Sequence, residues 1–214
     1  MLVRIVLMGP PGAGKGTQGE ILERRYGVPR FSTGDILRAA RRKGTDLGLR
    51  AQSYMDAGEL VPDDVILGII GEALVGDSAR DGFILDGFPR TVAQAEGLTR
   101  MMDELGLQLD AVLNISVDDD EIVRRLSGRR VCSECGLVAD ADAAGDSDCA
   151  DCSGKLVQRR DDDADTVRRR LEVYRDQTEP VLTWYRNAGR RVVDVDGMGS
   201  VEGITRRVLA GVES

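Results

Sequence analysis

Apolar positions along this chain fall into two alternating patterns. Short, mostly apolar runs occur at 2–8, 28–31, 83–85, 111–117 and 191–195. Runs of that length between turn residues predict strands buried on both faces, as in a parallel sheet. Between them, apolar residues recur every three or four positions, which predicts helices over 16–25, 34–42, 47–57, 62–74, 92–105, 119–127, 165–187 and 201–209. Strands alternating with helices indicate an α/β fold, a five-stranded parallel sheet covered by helices. Two stretches interrupt the alternation. Residues 32–61 hold helices with no strand between them, and 128–162 hold four cysteines and no helical period. Both read as small lobes inserted into a single core made of 1–31, 62–127 and 163–214.

The first predicted strand runs directly into Gly9-Pro10-Pro11-Gly12-Ala13-Gly14-Lys15-Gly16-Thr17. Strand, glycine-rich turn, lysine and helix in this order make a phosphate-binding loop. The glycines let backbone N–H groups approach an anion closely, Lys15 adds positive charge, and the helix presents its positive end. Gly16 stands where such loops commonly carry the Ser or Thr that holds Mg²⁺; the hydroxyl arrives one residue later, at Thr17. Magnesium is therefore expected to rest on phosphates, waters and a carboxylate elsewhere. Asp86 qualifies, since it ends the apolar run 83–85 as carboxylate strands beside phosphate loops do; a plain strand end before a surface turn is the competing reading.

Composition narrows the chemistry. At 214 residues and 42% hydrophobic content the chain can bury one good core, and no apolar run is long enough to span a bilayer. The segment 2–8 is too short for a secretion signal and contains Arg4, so a cytoplasmic location is expected. A net charge of −8 argues against nucleic acid or a membrane surface as partner. With no histidine in the chain, serine–histidine hydrolysis, histidine phosphotransfer and histidine metal ligation are excluded.

Helical spacing sorts the arginines. Arg125 and Arg129 flank the Ile122–Leu126 stripe and Arg170 borders Val167, Leu171 and Tyr174, whereas Arg124 and Arg169 point outward. Arginines beside an apolar stripe sit at the edge of a cleft. The cysteines read Cys132-x2-Cys135, thirteen residues, then Cys149-x2-Cys152. Two short pairs suit tetrahedral zinc in a structural role; the alternative, two disulfides, is disfavoured in a reducing cytosol.

Taken together, these stretches resemble the adenylate kinases over essentially the whole chain. The resemblance rests on residues 9–18, on Ser32-Thr33-Gly34-Asp35-Ile36-Leu37-Arg38, and on Asp86-Gly87-Phe88-Pro89-Arg90 with Gln94. Gly128-Arg129-Arg130-Val131-Cys132, Arg159-Arg160-Asp161-Asp162 and 166–171 continue it in register. The resemblance implies a phosphate-loop nucleoside monophosphate kinase fold with an AMP-binding lobe at 32–61 and a zinc-bearing lid at 128–162. It implies reversible transfer of the terminal phosphoryl of Mg-ATP to AMP, giving two ADP, by a monomeric enzyme. It places ATP on Gly12, Ala13, Gly14, Lys15, Gly16, Thr17, Arg125, Arg129 and the backbone near Gly199. AMP would meet Thr33, Arg38, Glu59, Leu60, Val61, Gly87, Phe88, Pro89, Arg90 and Gln94, with Arg159 and Arg170 between the nucleotides. Lys15, Asp86, Arg90, Arg125, Arg129, Arg159 and Arg170 form the implied catalytic set. One departure concerns the lid, which follows its second cysteine with Leu137-Val138-Ala139 and the acidic run 140–148, where related lids have an aromatic and a histidine.

Three rivals share parts of this pattern. A signalling GTPase would need a guanine-reading Asn-Lys-x-Asp, which is absent. A zinc-ribbon nucleic-acid module would carry a basic loop between the cysteine pairs, and this one is acidic. A sister kinase acting on UMP, CMP or GMP remains the alternative, with Thr33 and Gln94 matching the family's adenine preference.

Overall fold

The computed structural model describes residues 3–139 and 148–214. In chain order its strands are β1 (Val3–Met8), β2 (Arg30–Ser32), β3 (Gly82–Asp86), β4 (Ala111–Ser116), β5 (Arg130–Cys132), β6 (Val138–Ala139), β7 (Leu156–Val157) and β8 (Val192–Asp196). The helices are α1 (Lys15–Tyr26), α2 (Thr33–Arg42), α3 (Asp46–Asp56), α4 (Asp63–Val75) and α5 (Val92–Glu104). They continue with α6 (Asp119–Gly128), α7 (Ala164–Val173), α8 (Glu179–Asn187) and α9 (Val201–Glu213).

The main sheet has the order β2-β3-β1-β4-β8, and every pairing is parallel. Period-two alternation divides β1 between two cores. Val6 and Met8 pack with Phe83, Leu85, Ile66, Ile70, Leu98 and Tyr185 on one face. Val3, Ile5 and Leu7 pack with Leu22, Ile204, Val208 and Val212 of α1 and α9 on the other. With both faces covered, β1 and β3 are apolar along most of their length, the exceptions being Arg4 near the start of β1 and Asp86 at the end of β3. The chain moves to one side of β1 for β2 and β3, then to the other for β4 and β8. In open α/β sheets such a reversal opens a crevice at the carboxyl ends of the strands, where ligands bind.

Two features differ from the sequence expectation. The helix expected over 165–187 is broken: α7 passes through a π-turn at Tyr174–Thr178 before α8 begins. Pro180 is the reason. It lacks an N–H and its ring would clash with the Asp176 carbonyl in a continuous helix, and it is accommodated in the first turn of α8. The stretch 128–162 also holds a three-stranded antiparallel sheet, ordered β6-β5-β7. Its strands are too short to show a period. α6 and α7 carry this sheet and pack together through Ile122, Leu126, Val167 and Leu171. Leu2 and most of the acidic run expected at 140–148 lie outside the described residues.

Candidate active site

The carboxyl ends of the parallel strands supply the candidate site. β1 runs into Gly9, whose φ of 138° only glycine adopts readily, and a Cβ there would meet the Ile115 carbonyl oxygen at 2.3 Å. That close approach seats the loop on the end of β4. Gly12 and Gly14 also have positive φ, at 81° and 91°. α1 opens at Lys15 with no side-chain cap and no acidic residue in its first turn. Its first N–H groups and dipole therefore face the loop and favour an anion. Lys15 Nζ curls over the loop, donating to the Gly9 and Pro10 carbonyls at 2.7 and 2.8 Å. Burial lowers its ammonium to about 7; Asp86 opposes this, while Arg90, Arg170 and Arg129 push the same way.

Asp86 terminates β3 beside that loop, where a Cβ on Gly16 would lie 3.8 Å from its Oδ2. Its Oδ2 accepts from Arg30 Nη1 at 2.9 Å. One carboxylate next to a phosphate cradle is the donor set that Mg²⁺ takes when phosphates and waters complete its shell.

Several further cations converge on this point, drawn from four segments of the chain. Arg90 donates through Nε to the Gly87 carbonyl at 2.8 Å, and burial, then neighbouring Arg170, lowers it to about 10. Arg129 grips Asp162 with two bonds, its Nε at 2.7 Å from Oδ2. Arg170 Nη1 donates to the Asp161 carbonyl at 2.8 Å and lies 3.1 and 3.2 Å from the carboxylates of Asp161 and Asp162. Arg159 is lowered to about 10 by burial, then by Arg38 and Arg129, and its Nε is buried with no hydrogen-bond partner. Guanidinium groups crowded in this way, one with an unmatched donor, suit an anionic ligand of several charges.

Two clefts flank the cluster. One, about 570 Å³ including its mouth, is lined by Thr33, Arg38, Glu59, Leu60, Val61 and Gln94 among others. The second, about 530 Å³, includes Gly9, Pro11, Lys15, Pro89, Tyr174 and Thr178. Gly87, Arg90 and Arg170 line both, so the clefts meet at two arginines. The π-turn contributes here, because it delivers the Thr178 hydroxyl to the Arg90 carbonyl at 2.9 Å.

The four cysteine sulfurs lie within 4.8 Å of one another, with Cys132–Cys152 at 3.4 Å and Cys135–Cys149 at 3.6 Å, and none forms a disulfide. Tetrahedral Zn–S bonds of about 2.3 Å place sulfurs about 3.8 Å apart, close to this spacing. The Cys135 amide, and after it that of Glu134, favours the Cys132 thiolate and lowers its pKa to about 6 against the opposing effect of burial. The donor set fits a closed metal site.

The adenylate kinase family model matches residues 7–190. The chain belongs to the adenylate kinase family. It is 52% identical over 210 residues to the adenylate kinase of Gemmatimonas aurantiaca, with 97% of this chain and 98% of that protein covered. It is 48% identical to the adenylate kinase of Archaeoglobus fulgidus, covering 99% of this chain and 98% of that protein. The adenylate kinase of Syntrophotalea carbinolica is 47% identical, with 98% of each covered.

Against the family pattern, the structure groups most of the expected residues. Thr33 Oγ1 donates to the Gly87 carbonyl at 3.0 Å, and Gln94 lies buried in the first cleft, accepting from the Arg90 amide at 2.7 Å and donating to Asp63 at 2.7 Å. Phe88 is fully buried, so only its backbone neighbours reach a cleft. Glu59 pairs with Arg169 at 2.7 Å, which makes Arg169 an outward clamp on the cleft wall. Thr17 is exposed, and Ala13 is buried with the core residues behind the loop. Arg125 stands apart: it bonds Glu121 at 2.7 Å and the Gly197 carbonyl at 2.9 Å. That puts it at the β8–α9 loop with Gly199, and not among the charges acting on Lys15. Asp161 and Asp162 were quoted in the sequence motif without a role; they hold the arginines. Asp35, part of the Ser32–Arg38 motif, pairs locally with Arg38, whereas Arg30 escapes a reading along the chain because Asp86 becomes its neighbour only when the sheet forms.

Proposed function

We propose that this chain is an ATP:AMP phosphotransferase that interconverts ATP and AMP with two ADP. The observation that carries the reading is the pair of clefts joined at Arg90 and Arg170, one next to the phosphate loop and one next to Thr33, Arg38 and Gln94. Two nucleotides entering from opposite sides would bring their phosphates together at that seam.

Phosphoryl transfer depends on positioning and charge neutralisation. The acceptor is itself a phosphate with a second pKa near 6 and is mainly dianionic at neutral pH, so no general base is required. A chain without histidine loses nothing by this. Residues 12–17 cradle the donor phosphates through backbone amides, and Lys15 neutralises the outer ones. Arg129, Arg159 and Arg170 surround the transferring group, while Arg38 and Arg90 hold the acceptor phosphate. Arg125 and the loop of Gly199 take the adenine end of ATP. Asp86 would hold the Mg²⁺ that accompanies ATP and supplies further charge neutralisation. Thr33 and Gln94 read the acceptor base, and residues 59–61 wall its cleft.

Residues 32–61 and 128–162 act as lobes that close over the substrates and keep water from the transferring group, the purpose for which adenylate kinase lids are a standard illustration. The four cysteines would hold Zn²⁺ structurally, in place of a core that a three-stranded sheet is too small to build. Among the described residues no helix is long and apolar enough to cross a membrane. We assign the activity to the cytoplasm, a reading supported by the four unpaired thiols and the nucleotide substrates.

The test is a coupled assay of ADP formation from ATP with AMP, GMP, CMP or UMP. AMP is expected to lead by orders of magnitude. Preference for another monophosphate, or no turnover with any, rejects the assignment.

A further inference from the structure

One buried cation beside the site has no part in the scheme above. Arg30 opens β2, next to β3 in the sheet, and its side chain is largely buried. Its Nη1 donates to Asp86 Oδ2 at 2.9 Å and to Asp35 Oδ2 at 3.2 Å. Asp35 lies in the first turn of α2, and its other oxygen accepts from Arg38 Nη2 at 2.6 Å. Charges of alternating sign therefore run Asp86–Arg30–Asp35–Arg38, from the strand end by the phosphate loop to the wall of the acceptor cleft. Glu20 and Glu23 of α1, 3.6 and 3.9 Å from the Arg30 guanidinium, keep it anchored from behind.

α1 is shaped for this side chain. A Cβ on Gly19 would lie 2.6 Å from Arg30 Cδ, so the arginine stem reaches Asp86 through space that glycine alone leaves. Gly19 sits in a helix interior, where glycine is less favourable than alanine. The position opposes helix propensity and is matched to Arg30.

We infer that Arg30 is a positioning residue for phosphoryl transfer, fixing the Asp86 carboxylate and, through Asp35, the guanidinium of Arg38. The physical argument is competition. Asp35 shared between two arginines leaves the fork of Arg38 free to grip a phosphate. Deprived of Arg30, the Asp35 carboxylate turns its full charge on Arg38 and competes with the monophosphate, while Asp86 loses the partner that sets its orientation.

The inference rests on the assignment of AMP to the cleft of Arg38, and its test separates the two. Calorimetric titration of the zinc-loaded protein with AMP, without added magnesium, compares wild type, Arg30→Gln, Arg30→Lys and Gly19→Ala. Arg30→Gln is expected to weaken AMP roughly tenfold, the scale seen when the outer partner of a ligating group is removed, and Arg30→Lys to recover part of that loss. Gly19→Ala, which displaces the stem and leaves its charge, is expected to weaken AMP in the wild-type background and to add little on top of Arg30→Gln. A merely structural arginine would lower the melting temperature of these variants without moving the AMP dissociation constant of the folded protein. AMP binding equal in wild type, Arg30→Gln and Gly19→Ala overturns the inference alone. No AMP binding by the wild-type protein overturns the functional reading and this inference with it.

Discussion

Replacing Arg170 with methionine separates catalysis from stability. Methionine keeps most of the stem and removes the charge. Arg170 lines both clefts, so under the proposed function it faces the group transferred between them. An arginine in that position is worth about 10³–10⁵ in turnover, or about 4–7 kcal/mol of transition-state stabilisation. The same change takes a partner from Asp161 and Asp162. Breaking a buried ion pair costs about 3–5 kcal/mol. Here Asp162 keeps its two bonds to Arg129, which puts the cost near 3 kcal/mol, or about 6–12 °C of melting temperature for a chain of this size. A typical domain survives such a loss at 25 °C. The assay is ADP formation with both nucleotides saturating, alongside thermal unfolding by circular dichroism. Arg170→Met should lose at least a thousandfold in kcat, with a smaller change in KM. Arg168→Met, on an exposed residue paired with Asp165 in the first turns of α7, should retain kcat within about twofold. If Arg170→Met retains kcat within tenfold, or loses only in KM, the arginine binds ground states and the seam is not where transfer occurs.

The cysteine site predicts about one zinc per chain by elemental analysis, and a lower melting temperature after chelation or in Cys149→Ser; melting that ignores the chelator would remove the structural role. Lys15 makes a pH prediction whose sign is determined. Its pKa is about 7 in the folded protein and near 10.5 when unfolded, so between those values the unfolded chain holds more protons. Stability of the nucleotide-free protein should therefore rise with pH across that window, by at most about 1.4 kcal/mol per pH unit, and Lys15→Met should flatten the rise. Nucleotide phosphates favour the ammonium, so ATP binding should take up a proton at pH 8.5 and none through this group at pH 6. Titrations in buffers of different ionisation heat read that difference; equal proton counts at both pH values would contradict it.

Much of the fold and part of the site could be read along the chain because the signals are local. The phosphate loop is such a case: strand, glycines, lysine and helix are contiguous, and the backbone conformations that Gly9, Gly12 and Gly14 adopt are properties of each residue in turn. The five parallel strands and most helices followed from periodicity for the same reason, and the cysteine pairs from spacing. The π-turn before Pro180 escaped, since widening one turn scarcely disturbs a stripe of apolar residues, although the proline itself marked the place. What only the tertiary structure decided is the pairing of charges. Arg129 meets Asp162 across 33 positions and Arg30 meets Asp86 across 56, and nothing in the spacing of either pair announces the contact. Charge carries no period: an arginine on a helix edge reads the same whether it faces a carboxylate, a carbonyl or a phosphate. Parallel strands joined by crossovers bring distant segments to one edge, and only when that edge is assembled do Arg129 and Arg170 come to share Asp162 while Arg125 parts from them toward Gly197.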